Sequence, residues 1–136
     1  TENIDGPTTR SYWKIVEDIT NIEDDYDPNS FDYRKMTLFS IPFGSVTTFE
    51  KLMQEVIAAE KKAGIQLSRI YAQSVDGYPS NYYILMYPDT DELSYYQKKS
   101  KRENIRNANP ALLELIEKVK SLMTVVRIDH LNRIKF

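Results

Sequence analysis

The feature that most restricts the fold is the order of strand-like and helix-like stretches between Tyr33 and Leu131. Residues 34–41 (RKMTLFSI) alternate as a strand does and stop at Pro42 and Gly44. Thr47-Thr48-Phe49-Glu50 has the form of a capping box, a hydroxyl followed three residues later by a glutamate. Phe49, Leu52, Met53, Val56 and Ala63 then recur at helical spacing, and Gly64 is placed to end the helix. Two β-rich runs, 67–75 (LSRIYAQSV) and 81–87 (NYYILMY), flank Asp76-Gly77-Tyr78-Pro79-Ser80, whose composition predicts a hairpin loop. Asp89 with Glu92 forms a second capping pair, opening a helix that carries Leu93 and Tyr96. Asn109-Pro110 restarts helix, with Asn as cap and Pro where its missing N–H costs nothing. Leu112, Leu113, Ile116, Val119 and Leu122 supply its apolar stripe, and residues 124–131 (TVVRIDHL) make a last strand before a short basic tail.

The order is βαββαβ. With right-handed crossovers it closes into a four-stranded antiparallel sheet with both helices on one face, an α+β domain of the ferredoxin-like arrangement. Ahead of it, residues 1–10 have the Gly, Pro and Thr content of a loose terminus. Residues 11–19 (SYWKIVEDI) are amphipathic, with Trp13, Val16 and Ile19 available to pack on the main body, and NIEDDYDPNS reads as a connecting loop. The expected organisation is an N-terminal acidic extension over residues 1–32 and a ferredoxin-like domain over 33–136.

A chain of 136 residues can bury one core without staples. Its net charge of −2 argues against a general nucleic-acid binder. The absence of cysteine removes disulfides, thiolate chemistry and cysteine-based metal sites together. No apolar run approaches the ~20 residues that span a bilayer. The chain opens at Thr1 without a Met, as it would after removal of a leader or tag; a soluble protein is expected, cytoplasmic or exported after leader removal. Charge is unevenly spread: the first 32 residues are strongly acidic, whereas Lys98, Lys99, Lys101, Arg102 and Arg106 form a basic stretch. The two readings are an acidic arm or anionic ligand drawn to that stretch, and two solvated faces.

His130 is the only histidine, so a zinc site or a catalytic triad would have to centre on it. Its parity with Val126 and Ile128 instead predicts a strand histidine held by a hydrogen bond. Gly6, Gly44, Gly64 and Gly77 are scattered and make no phosphate loop. The run Glu23-Asp24-Asp25-Tyr26-Asp27 lacks the Gly and terminal Glu of a calcium loop and reads as linker. No metal and no cofactor is expected. On the strands, Ile70, Ala72, Val126 and Ile128 are assigned to the helix side, with Tyr82, Ile84 and Met86 in the core. The opposite face then carries Tyr71, Gln73, Tyr83, Tyr87, Arg127 and Asp129. That mixture of aromatics and polar groups suits a small-molecule pocket or a polar-rimmed dimer interface.

The stretch from about Tyr33 to Leu131 resembles the dimeric α/β-barrel superfamily, and its NIPSNAP-like members in particular. The resemblance lies in RKMTLFSIPFGSVTTFEKLMQEV, in the hairpin ending NYYILMYP, and in the Asn-Pro that restarts the second helix. The loop departs from the usual Pro-Gly form, reading Pro42-Phe43-Gly44. Some relatives carry two such modules in tandem, and SYWKIVEDI has the look of a vestige of an upstream one. The resemblance implies a homodimer whose two sheets close a barrel. Family members range from cofactor-independent oxygenases through haem-degrading enzymes and isomerases to proteins without established activity, so fold does not fix function. A haem-degrading site wants a proximal His on a helix, and no helix here offers one. The leading expectation is a homodimeric module that binds a small apolar or aromatic molecule, or serves as an interaction module, without an evident catalytic apparatus. The rival is a cofactor-independent oxygenase or isomerase acting on a small, partly aromatic substrate held by Tyr71, Tyr83, Arg127 or Asp129.

Overall fold

The computed structural model describes residues 10–23 and 27–133. The expected loose terminus therefore lies outside the described residues apart from Arg10, as do Asp24, Asp25 and Tyr26 of the acidic run and the end of the basic tail. The elements are β1 (Tyr12–Ile15), β2 (Tyr33–Ser40), α1 (Val46–Lys62), β3 (Ile70–Asp76), β4 (Tyr82–Asp89), α2 (Glu92–Asn107), α3 (Pro110–Leu122) and β5 (Thr124–Asn132). Strands lie in the order β1-β3-β4-β2-β5, every neighbouring pair antiparallel.

The sheet has five strands rather than the expected four. The additional one comes from the N-terminal extension, where Trp13 and Ile15 alternate with Tyr12 and Lys14 and the segment pairs along β3. Just beyond it Ile19 is fully buried in the core. Among the described residues there are three α-helices rather than two, because Asn109-Pro110 separates α2 from α3 instead of continuing one helix. Pro110 has no N–H to give, and the Asn109 side chain accepts from the Leu112 N–H at 3.2 Å. The other expected caps moved. Asp91, not Asp89, caps α2 by accepting from Ser94 at 2.7 Å, while Asp89 takes the Thr90 N–H at 2.7 Å. The capping box of α1 does not form; Glu50 instead accepts from the Tyr83 hydroxyl at 2.5 Å.

The β3–β4 hairpin forms as predicted. It turns at Gly77, whose φ of +95° favours glycine and where a Cβ would meet the Arg10 carbonyl at 2.5 Å. Packing against the helices is built on rings. Phe39 stacks on Tyr83 with centroids 5.6 Å apart, and Phe49 of α1 meets Tyr71 edge-on at 5.8 Å. Met53, Val56, Leu112 and Val119 close this layer from α1 and α3.

Pairing registers fix which residues share a face. One helix-side row runs Gln73, Tyr83, Phe39, Val125, and the next Tyr71, Leu85, Thr37, Ile128. On the far side the rows are Ile15, Ala72, Ile84, Leu38, Arg127 and then Ile70, Met86, Met36, Asp129. For β5 the expected sides of Ile128, Arg127 and Asp129 hold, across a bulge at Val126. For β3 and β4 they are reversed: Tyr71, Gln73, Tyr83 and Tyr87 face the helices, whereas Ile70, Ala72, Tyr82, Ile84 and Met86 face away. The physical reason is that both faces of this sheet are apolar. Ile70 and Leu38 on the far side are only 6% and 8% exposed, close to core values, so alternation in polarity does not discriminate. Tyr71 and Tyr83 took the helix side, where their hydroxyls donate to Met53 Sδ and Glu50.

Candidate functional site

The site grows from two charged residues in apolar positions. Glu60 follows Met53 and Val56 on the buried stripe of α1 and is 1% exposed. Arg69, immediately before β3 and in phase with Tyr71, is 2% exposed. They meet as a two-pronged pair, Arg69 Nη2 donating to Glu60 Oε1 at 2.7 Å and Nη1 to Oε2 at 3.4 Å. Arg106, from the last turn of α2, donates to the same Oε2. Burial alone would push the Glu60 carboxyl up. The charges and hydrogen bonds of Arg69 and Arg106 overcome this and hold it below its ordinary value.

Beside this cluster, between the sheet and helices α1 and α3, lies a chamber of about 140 Å³. Met53, Val56, Leu85, Ile116, Val119 and Met123 form its apolar walls, and Arg69, Arg106, Tyr71, Tyr87 and Lys120 its polar points. The Nε–H groups of Arg69 and Arg106 are buried and have no acceptor among the described residues. Burial works to raise the Tyr87 phenol, yet the fields of Arg69, Arg102 and Arg106 bring it below its ordinary value. Arg102 also lies over the rings of Tyr87 and Tyr95, 4.9 and 5.6 Å from their centroids. The Tyr71 phenol goes the other way, raised by burial, and its hydroxyl donates to Met53 Sδ at 3.5 Å.

The structure does not bring the six residues expected to form one site together. Tyr71 and Tyr87 line the chamber. Tyr83 is buried in the ring stack beside it, and Gln73 donates to the Ser80 carbonyl across the hairpin at 2.7 Å. Arg127 and Asp129 lie on the far face, paired with each other at 2.8 Å. There they border a shallow depression of about 120 Å³ with Trp13, Met36, Leu38, Tyr78 and Ile84. His130 has the expected hydrogen-bond partner, its Nδ1 lying 2.5 Å from the Tyr33 hydroxyl. Burial pushes that tyrosine up to about 12.

Sequence reasoning missed Glu60 and Arg69 as site residues and named Arg106 only as part of the basic stretch. The available signal was a glutamate in phase with an apolar stripe and an arginine sharing the parity of Tyr71. The basic stretch also divides: Lys98 and Lys101 face water, whereas Arg102 is buried and Arg106 reaches Glu60. Among the described residues no group of three or more His, Cys, Asp or Glu could hold a metal ion, and no helix is long and apolar enough to cross a membrane. Compared with protein families, with curated proteins and with solved structures, the chain finds no match in any of the three.

Proposed function

We propose that this chain is a small-molecule-binding protein of the ferredoxin-like, dimeric α/β-barrel kind, with its ligand in the chamber between the sheet and the helices. The observation that carries this reading is an apolar chamber closing on a buried guanidinium, Arg69, whose Nε–H has no acceptor among the described residues. Apolar walls with a few convergent polar groups are the composition of ligand pockets. A buried donor left unmade costs about 1–3 kcal/mol, which a ligand acceptor would recover. The order β3-β4-β2-β5 among the strands after β1 supports the ferredoxin-like reading, and through it the resemblance to NIPSNAP-like members.

A second copy of the chain is the proposed cover for the far face. All three helices lie on the other side, and this face carries Ile15, which is exposed, Trp13, Met36, Ile84 and Met86, which are part-exposed, and Leu38, which is nearly buried among them. Arg127 and Asp129 sit two residues apart on one strand, so a twofold axis beside β5 sets each against the opposite charge of the partner copy.

The test of the chamber is thermal unfolding across a panel of small apolar acids, alcohols and amides. A true ligand at a hundred times its Kd adds about 2.7 kcal/mol of stability and raises Tm accordingly. Val119→Trp, which fills the chamber, should remove that shift. A panel that leaves Tm unchanged throughout would count against the reading. Catalysis is the second reading, and Tyr87 favours it: a phenol held below its ordinary value by the fields of Arg69, Arg102 and Arg106 lines the chamber, and a titratable group in such a place is what a cofactor-independent isomerase or oxygenase would need.

A further inference from the structure

We infer that the chamber takes a small apolar monocarboxylate, its two oxygens held by Arg69 and Arg106 and its hydrocarbon lying against Val56 and Val119. The inference rests on the chamber being a ligand site, and adds the chemical class of what enters it.

Charge is the first argument. Among the described residues Arg69 and Arg106 share one counter-ion, Glu60, so this pair of arginines meets a single carboxylate. Lys120 at the rim has Glu117 at 3.8 Å and contributes no deficit. An uncompensated guanidinium at this depth is costly until an anion joins it. Geometry is the second. Arg69 is 2% exposed, lines the chamber, and keeps its Nε–H free of acceptors, as does Arg106. Guanidinium N–H groups match the spacing of planar carboxylate oxygens.

Size and wall chemistry narrow the class. A closed cavity of roughly 150 Å³ accommodates benzene, so about 140 Å³, open at the Lys120 rim, admits a ligand of about six or seven non-hydrogen atoms. Six apolar walls give most of the ligand's surface hydrocarbon to lie against, and the polar points gather at the arginine end and at the Lys120 rim. Inorganic phosphate would set part of its charged surface against the apolar walls, whereas a short branched acid presents one charged end and an apolar remainder.

Titration calorimetry with isovalerate, isovaleramide and inorganic phosphate decides the matter. Isovalerate should bind, the uncharged amide of nearly the same shape should bind about 10- to 100-fold more weakly, and phosphate should not compete. Arg106→Lys keeps a cation beside Glu60, so the protein should still fold. Loss of the planar N–H fork should weaken isovalerate about tenfold and leave the amide unchanged. An amide that binds as well as the acid overturns the inference while the chamber reading stands, and so does phosphate that competes. If none of the three binds and only an alcohol or amide of the panel raises Tm, the carboxylate assignment falls alone. If the thermal panel is blank as well, both readings fall.

Discussion

Glu60→Ala is expected to destabilise the protein by about 3–5 kcal/mol, the cost of removing one partner from a buried ion pair and leaving the other uncompensated. Here the abandoned partners are Arg69, 2% exposed, and Arg106, whose side chain is 15% exposed. Domains of this size are stable by only about 5–15 kcal/mol, so urea unfolding at neutral pH should show a large drop in midpoint. Glu60→Gln keeps an acceptor oxygen and should fall between the two. The same pair predicts acid lability with a definite sign. Because the folded Glu60 carboxyl lies below its ordinary value of 4.5, its contribution is fully present above that pH. It is lost as pH falls through the folded value, and the pH slope of stability in that range should flatten in Glu60→Gln. A Glu60→Ala variant within about 1 kcal/mol of the parent would mean that the two arginines relax into water, and the buried cluster would lose its meaning.

Ile84→Glu is expected to break the proposed dimer. Ile84 lies mid-row on the far face, between Ala72 and Leu38 and beside the Arg127–Asp129 depression. A carboxylate there is buried without a partner if a second sheet covers the face. Central interface residues cost about 2–4 kcal/mol when lost, a rise in dimer Kd of roughly 30- to 700-fold. Light scattering after size exclusion should give twice the chain mass of 15.9 kDa for the parent and a single chain mass for the variant. Leu93→Glu is the control: Leu93 is 68% exposed on α2, on the helix side, and its substitution should leave the mass unchanged. A parent that already runs as a single chain at tens of micromolar would overturn the homodimer.

Most of the architecture was legible because it depends on local signals. Asn109-Pro110, the Asp76–Gly77 turn and the helical stripe of α1 each specify their own neighbourhood, and each stands where the pattern placed it. The fifth strand was not legible, since four residues of alternating character become a strand only when β3 offers an edge. The faces of β3 and β4 failed for a related reason. A strand that is apolar on both sides carries no parity signal, so Tyr71 and Ile70 are told apart only by what packs on them. The chamber shows the same limit. Tyr71 and Tyr87 were singled out for their chemistry, but the partners that give them a role come from α1, the residue before β3, and the end of α2. Glu60 and Arg69 broke the apolar pattern of their elements, and that break was the readable trace of the site.

The central claim is that a small molecule enters between the sheet and the helices, and the four methionines allow it to be tested without assuming an activity. Met53 and Met123 line the chamber, while Met36 and Met86 stand on the far face of the same sheet. With methionine methyl groups labelled for NMR, titration with isovalerate should move the Met53 and Met123 signals together and saturably, leaving Met36 and Met86 in place. Movement of Met36 and Met86 alone would put the ligand on the wrong side of the sheet and contradict the account.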